Sequence, residues 1–141
     1  VVISGLISDI ESAESVFKNI GVKRYLKLNV SAAFHSKYME GAQKQLIDEI
    51  DKISFNKTNI PIISNYDAKI NTKVDKIIHS LKNQMANKVR WTDSIKRLEK
   101  TDLNKIIEIG PGKILSGLIL RISKKFDIIS VNKLEDLEKI K

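Results

Sequence analysis

Apolar residues follow two different spacings along the chain, one typical of β-strands and one typical of amphipathic helices. Short apolar runs bounded by glycine, proline, serine or asparagine predict strands. Between these runs the apolar residues recur every three or four positions, which predicts helices. Because strands alternate with helices, we predict an α/β fold with a largely parallel sheet. The predicted strands lie at 1–4, 25–30, 60–64, 103–109 and 128–131.

Side chains that can cap helices mark where the predicted helices begin. Ser8 with Glu11 three residues later has the form of a capping box, and Gly21 is the expected stop of that helix. Ser36 can cap a second helix that runs to about Ile53. Two further helices are predicted to start after caps, near Thr72 and Thr92. Another follows a glycine-containing turn near Ile114, and the lysine- and glutamate-rich tail is predicted to be a solvated helix.

The segment from Val30 to Met39 contains the strongest candidate for a catalytic residue. It places His35 where a strand ends and a helix begins, directly before Ser36. Reactive groups of α/β enzymes often lie at such junctions, because the flanking elements hold the loop in place. The alternative is a partly buried loop histidine whose ring is simply hydrogen-bonded. The second histidine, His79, falls outside the apolar stripe of its helix and is predicted to be solvated.

Composition narrows the remaining possibilities. A chain of 141 residues is long enough for one domain with a real core, and it has no run of apolar residues that would span a membrane. With no cysteine and only two histidines, no cluster has metal-ligand spacing, and a cytoplasmic location is expected. Since the chain starts with Val1 in an apolar run, we interpret it as a fragment of a longer protein.

The charge balance leaves a non-enzymatic alternative open. The formal net charge of +8 suits an acidic protein partner or a nucleic acid. Arginine is scarce beside lysine, however, and the sequence lacks the glycine-aromatic signature of RNA-binding domains, so we do not expect nucleic acid. The alternative function is therefore a basic α/β interaction module that performs no chemistry.

Two motifs that would indicate other chemistry are incomplete or absent. The turn from Gly110 to Lys113 lies between a strand and a helix, where backbone N–H groups attract phosphate. It lacks the Walker spacing and has no serine or threonine after Lys113, so a tight turn is the preferred interpretation. The sequence also contains no Gly-x-Ser-x-Gly nucleophile elbow. His35 therefore has no obvious nucleophilic partner in this chain.

Taken in order, four stretches resemble malonyl-CoA:acyl-carrier-protein transacylases, specifically their carboxyl-terminal half. The resemblance covers essentially the whole chain. It departs from the family at Lys88, where proline usually follows the asparagine, and at Ala33, where proline is common. The four stretches are Val1 to Gly5, Val30 to Met39 with its Phe-His-Ser, Gln84 with Asn87-x-Val89-x-Trp91, and Ile109 to Lys113.

The resemblance implies an α/β-hydrolase-like acyltransferase core with an inserted ferredoxin-like subdomain. Residues 1–28 would close the inserted subdomain, and residues 29–141 would form the carboxyl-terminal part of the core. It also implies a ping-pong reaction in which a serine takes malonyl from malonyl-CoA and passes it to the phosphopantetheine thiol of acyl carrier protein, as in fatty acid synthesis. That serine would lie in the missing amino-terminal half, so the fragment alone is expected to be inactive.

By motif match, His35 would be the general base that activates the serine, and the backbone carbonyl of Gln84 would orient its imidazole. Phe34 would contact the acyl group, because the related polyketide domains carry Ala-Phe-His-Ser with malonyl and Ala-Ser-His-Ser with methylmalonyl. The implied partners are malonyl-CoA, acyl carrier protein and the amino-terminal half of the same enzyme. No cofactor, metal, nucleic acid or membrane is implied.

Overall fold

The computed structural model describes residues 1–140, which form α-helices, short 3-10 helices and two separate pairs of strands. Internal contacts divide the chain into two compact units that adjoin in sequence between Val89 and Arg90. None of the helices in residues 1–140 is both long and apolar enough to cross a bilayer. The elements are α1 (Ile7–Asn19), a 3-10 helix (Lys37–Met39), α2 (Glu40–Ile50), β1 (Ile62–Ile63), β2 (Ile70–Asn71), α3 (Val74–Asn83), α4 (Trp91–Leu98), β3 (Lys105–Ile109), α5 (Ile114–Ile122), β4 (Asp127–Val131) and a second 3-10 helix (Leu134–Ile140).

Helix α1 ends as the sequence predicts but does not begin as predicted. Gly21 has a φ of +91°, and the N–H of Val22 donates to the carbonyl of Phe17, which is the Schellman arrangement that glycine favours. At the other end Ser8 already lies inside the helix, and the cap residue Leu6 makes no side-chain cap. The predicted capping box is therefore wrong.

Helices α2 and α3 pack against each other in the first unit. Ile50 is the buried apolar residue of α2, and an ion pair joins Lys82 of α3 to Asp51. The strands β1 and β2 pair antiparallel, with Ile63 opposite Ile70. This antiparallel pair contradicts the prediction of a largely parallel sheet. Parallel pairing is found in the second unit.

The second unit is a parallel β3–β4 pair connected by α5. Ile107 lies opposite Ile129 and Ile109 opposite Val131 in the register of the pair. The core of the unit forms on one face of this pair, where α4 and α5 pack. It contains buried Ile95, Ile119 and Phe126, with Trp91, Leu98, Ile106, Ile122 and Ile128 packed around them.

Two of the predicted strands and two more of the predicted caps are absent from the described part of the chain. Residues 1–4 and 25–30 form no ladder, because a strand needs a hydrogen-bonding partner and no other segment within residues 1–140 supplies one. Helices α3 and α4 begin after Lys73 and Arg90, neither of which caps with its side chain, so the predicted caps at Thr72 and Thr92 are wrong.

Candidate active site

His35 lies in a tight turn immediately before the 3-10 helix that leads into α2. Its φ is +61°, in the left-handed region that residues other than glycine seldom adopt. Its backbone N–H donates to the carbonyl oxygen of Met85 at 3.1 Å. Such strain is kept only where the surroundings fix it, and it is concentrated at functional sites.

The imidazole of His35 contacts two backbone carbonyls of the segment after α3. Its Nδ1 atom lies 3.0 Å from the carbonyl oxygen of Gln84 and 3.1 Å from that of Asn87. A carbonyl oxygen can only accept, so Nδ1 must carry the proton that is donated. In the neutral ring Nε2 is then unprotonated and free to accept a proton from another group.

Ser36, the residue after His35, stabilises the turn with its side chain. Its hydroxyl accepts a hydrogen bond from the N–H of Tyr38 at 3.3 Å and donates one to the carbonyl of Ala33 at 2.7 Å. The predicted cap at Ser36 is thus confirmed, although the first turn that it caps is a 3-10 helix. Because this hydroxyl is already engaged, Ser36 does not serve as a nucleophile for its neighbour His35.

The segment that holds His35 is itself held by two side-chain amides. The Nδ2 atom of Asn87 donates to the carbonyl of Asn83, the last residue of α3, at 2.8 Å. The Oε1 atom of Gln43, on α2, accepts from the N–H of Ala86 at 2.9 Å. Sequence reasoning missed both the Asn87 carbonyl and Gln43. A signal for Gln43 was present, since it is a polar residue on the face of α2 that carries Met39, Leu46 and Ile50.

The remaining predicted site residue, Phe34, is adjacent to His35 and has 46% of its surface exposed. An aromatic side chain exposed to this extent beside a potential general base is available to contact a bound group. Within residues 1–140 the Nε2 atom of His35 has no hydroxyl partner, and no three potential metal ligands come together. His79 is exposed, as predicted, and its ring contacts the ring of Tyr66 edge-on at 5.8 Å.

Amide donors in the turn from Gly110 to Lys113 and in the first turn of α5 are occupied by protein groups. The N–H of Gly112 donates to Asn132, and the N–H groups of Leu115 and Ser116 both donate to the Glu108 carboxylate at 2.9 Å. The hydroxyl of Ser116 donates to the same carboxylate, and together these bonds hold the pKa of Glu108 below its ordinary value. A carboxylate already occupies the place where phosphate would bind, which supports the interpretation as a structural turn.

Comparison with known proteins gives the class of protein to which this arrangement corresponds. No protein-family profile matches the chain. The sequence is 36% identical over 138 residues to malonyl CoA-acyl carrier protein transacylase of Bacillus subtilis (strain 168), which takes in 98% of this chain. An acyl carrier protein S-malonyltransferase from Vibrio cholerae shares the fold with a TM-score of 0.87 and 36% identity over 94% of this chain.

A further solved structure contains a malonyl-transacylase in complex with a type II polyketide acyl-carrier protein. It matches 96% of this chain with a TM-score of 0.90 and 32% identity. The chain spans 44%, 43% and 44% of the length of these three proteins, which is less than half of each. The matched region is their carboxyl-terminal portion.

The fold is that of part of an α/β acyltransferase core, which confirms the predicted fold class. More specifically, the chain corresponds in sequence and structure to the carboxyl-terminal portion of malonyl-CoA:acyl-carrier-protein transacylases. The resemblance found in its four motifs is therefore confirmed. These comparisons favour an acyltransferase over the alternative of a basic interaction module.

Proposed function

We propose that this chain supplies the general base of a malonyl-CoA:acyl-carrier-protein transacylase, and that His35 is that base. The observation that carries the proposal is the pair of carbonyls, of Gln84 and Asn87, that accept from Nδ1 of His35. They set the tautomer in which Nε2 accepts a proton, as a general base must. The similarity to proteins named for malonyl transfer supports malonyl-CoA as the proposed substrate.

In the proposed first half-reaction, Nε2 of His35 takes the proton of a serine hydroxyl while the serine oxygen attacks the thioester carbonyl carbon of malonyl-CoA. The bond from that carbon to sulfur breaks, and the imidazolium gives its proton to the departing coenzyme A thiolate. The second half-reaction runs the same steps with the phosphopantetheine thiol of acyl carrier protein as the attacking group. The serine leaves, and it recovers its proton from His35.

The nucleophile in this proposal comes from outside the 141 residues, which contain no Gly-x-Ser-x-Gly segment. We therefore expect the chain alone to transfer no malonyl, since a base without a nucleophile offers no covalent route. The predicted division, with residues 1–28 in an inserted ferredoxin-like subdomain and 29–141 in the core, belongs to the same proposal. Acyl carrier protein is the proposed acceptor because a malonyl-transacylase of the same fold has been solved with one.

The test is His35→Ala in the complete enzyme that contains this chain, with His79→Ala as the matched control. Loss of a general base typically lowers the rate by about 10²- to 10⁴-fold, so His35→Ala should reduce malonyl transfer by that factor. His79 is an exposed helix residue of the same unit, and its removal should leave turnover nearly unchanged. Turnover near the wild-type value in a folded His35→Ala enzyme would overturn the proposal.

A further inference from the structure

We propose that Gln43 is a positioning residue for His35 and acts through the peptide unit between Met85 and Ala86. This inference rests on the proposed function of His35 as the general base. It concerns a glutamine on α2 that does not itself contact the imidazole. The connection runs through one peptide unit of the segment that holds the ring.

Both polar groups of that peptide unit are hydrogen-bonded, the carbonyl to His35 and the N–H to Gln43. The carbonyl of Met85 accepts from the backbone N–H of His35 at 3.1 Å, and the N–H of Ala86 donates to Oε1 of Gln43 at 2.9 Å. In a trans peptide the C=O and the N–H point in opposite directions within one rigid plane, and this chain has no cis peptide bonds in its described residues. A tilt of the plane at one end is therefore transmitted directly to the other.

The same segment provides both acceptors of the imidazole. The carbonyls of Gln84 and Asn87, which flank this peptide unit on either side, share the single proton of Nδ1 at 3.0 and 3.1 Å. A proton shared between two acceptors demands that both carbonyls keep their directions, because hydrogen bonds weaken steeply as their angles open. The N–H of Ala86 lies between them in sequence, so its hydrogen bond to Gln43 fixes the directions of both carbonyls.

Gln43 is placed for this role by the chain that leaves His35. Ser36 caps the 3-10 helix that leads into α2, and Gln43 lies on the first turns of α2, on the face that carries Met39 and Leu46. A half-buried amide among apolar residues costs free energy unless it is hydrogen-bonded. The bond to Ala86 meets that need, and it makes residues 35–43 a clamp that holds the 85–86 peptide from both sides.

The consequence for the reaction concerns the tautomer of His35. If the segment shifts, Nδ1 loses its acceptors and the neutral ring redistributes its proton between Nδ1 and Nε2. Molecules that carry the proton on Nε2 cannot take the proton of a nucleophile. Loss of Gln43 should therefore lower kcat in proportion to the fraction of molecules that keep the proton on Nδ1. The KM for malonyl-CoA should not change.

The decisive variant is Gln43→Met, which keeps the unbranched shape of the side chain but removes the acceptor. Gln43→Glu retains an acceptor oxygen and should behave like the wild type. Gln45→Met is the matched control, since Gln45 lies two residues further along α2 and is exposed. In the complete enzyme we expect Gln43→Met to reduce kcat about twofold, because an even distribution of the proton between Nδ1 and Nε2 leaves half of the molecules in the active tautomer.

The tautomer is measured directly by ¹⁵N NMR of His35 and His79 in the complete enzyme, under alkaline conditions in which a free imidazole is neutral. In the wild type, Gln43→Glu and Gln45→Met, His35 should carry its proton on Nδ1. In Gln43→Met the two nitrogens of His35 should shift toward each other, while His79, as the internal reference, should not change. An unchanged His35 spectrum in folded Gln43→Met would overturn the proposal.

A second measurement does not depend on any variant folding. In the wild-type complete enzyme the Ala86 amide should exchange its hydrogen slowly, because it is donated to Gln43. Unprotected exchange at Ala86 would refute the inference by itself. The two proposals also fail separately. A fully active His35→Ala enzyme would remove the proposed function, whereas an inactive one together with wild-type tautomer and kcat in Gln43→Met would remove only the role of Gln43.

Discussion

The carboxylate of Glu108, on β3, accepts a hydrogen bond from the backbone N–H of Ser116 at 2.9 Å and another from the Ser116 hydroxyl. It thereby neutralises the positive N-terminal end of α5 and ties that helix to the strand before it. The hydrogen bonds favour the ionised form, the Ser116 hydroxyl most of all, and lower the pKa of Glu108 below 4.5, although partial burial opposes them.

A group whose pKa is lower in the folded state contributes stability above its unfolded pKa and loses it as the pH falls through the folded pKa. The free energy of unfolding should therefore decrease below about pH 4.5 in the wild type. Glu108→Gln removes the charge, so it should be less stable near neutral pH and show a flatter acid limb in urea unfolding. Glu138→Gln, at an exposed position, is the control. Parallel acid limbs in Glu108→Gln and wild type would contradict the assignment.

Asp136 forms a second set of contacts that should weaken in acid, at a lower pH than those of Glu108. It accepts from Nζ of Lys139 at 2.6 Å and from the N–H groups of Asn132 and Lys133 at 2.9 and 3.2 Å. These bonds, with that from Lys139 the largest, lower the pKa of Asp136 from 3.8 to about 2. Its stabilising effect should be complete above pH 4 and disappear toward about pH 2.

The variant Asp136→Asn should be less stable than the wild type at pH 6, and the difference should vanish as the pH approaches 2. Urea unfolding at a series of pH values measures this directly. Asp102→Asn, at an exposed position of the same unit, should show no such convergence. A difference between Asp136→Asn and wild type that is constant over this range would rule out the carboxylate as its source.

Burial distinguishes two isoleucines of the same helix, α5. Ile119 is 2% exposed and belongs to the core of the second unit, whereas Ile114 is 74% exposed. Ile119→Ala should lower the free energy of unfolding by about 2–5 kcal/mol, because it removes buried methyl groups and leaves a cavity. Ile114→Ala should change it by less than about 1 kcal/mol, since alanine also favours the helix. If denaturant unfolding showed the same loss of unfolding free energy in both variants, this core would not be the one that stabilises the chain.

Local signals predicted the elements whose partners lie close in sequence. The strands β3 and β4 and helix α5 lie near the predicted positions, because a βαβ unit supplies its own pairing and its own apolar cover. The predicted strands at 1–4 and 25–30 did not form, since their apolar pattern does not say which segment would pair with them. Caps were predicted unevenly: Ser36 accepts a backbone hydrogen bond, while Thr72 and Thr92 do not lie at the cap position.

The candidate site divides in the same way. The position of His35 just before a helix could be predicted from local pattern, although the strand predicted before it did not form. The groups that orient its ring are backbone carbonyls 49 and 52 residues away. Every residue has a carbonyl, so no residue type marks Gln84 or Asn87 for this task, and Gln84 was named only through the family resemblance. Gln43 had a weak sequence signal, since it is a polar residue in an apolar stripe. Its partner, the N–H of Ala86, had no sequence signal.

The last prediction concerns Phe34, which precedes His35 and is 46% exposed. If its ring borders the α-carbon of the bound acyl group, it leaves space for the methylene of malonyl and crowds the additional methyl of methylmalonyl. One methyl group in a packed pocket changes selectivity by about 1–3 kcal/mol, or about 10- to 200-fold. Phe34→Ser in the complete enzyme should therefore raise kcat/KM for methylmalonyl-CoA relative to malonyl-CoA.

Competition of the two thioesters for each variant measures this ratio directly. Tyr38→Ser is the matched control, because Tyr38 is an aromatic residue of similar exposure, 44%, on the same segment. The gain in Phe34→Ser should come mainly from methylmalonyl-CoA, since removal of the ring relieves a clash and adds no new contact to malonyl. Phe34→Ser need not become an efficient methylmalonyl enzyme, because one opened wall does not reshape a whole pocket. A ratio that stays at the wild-type value in Phe34→Ser would mean that the ring only packs against the protein.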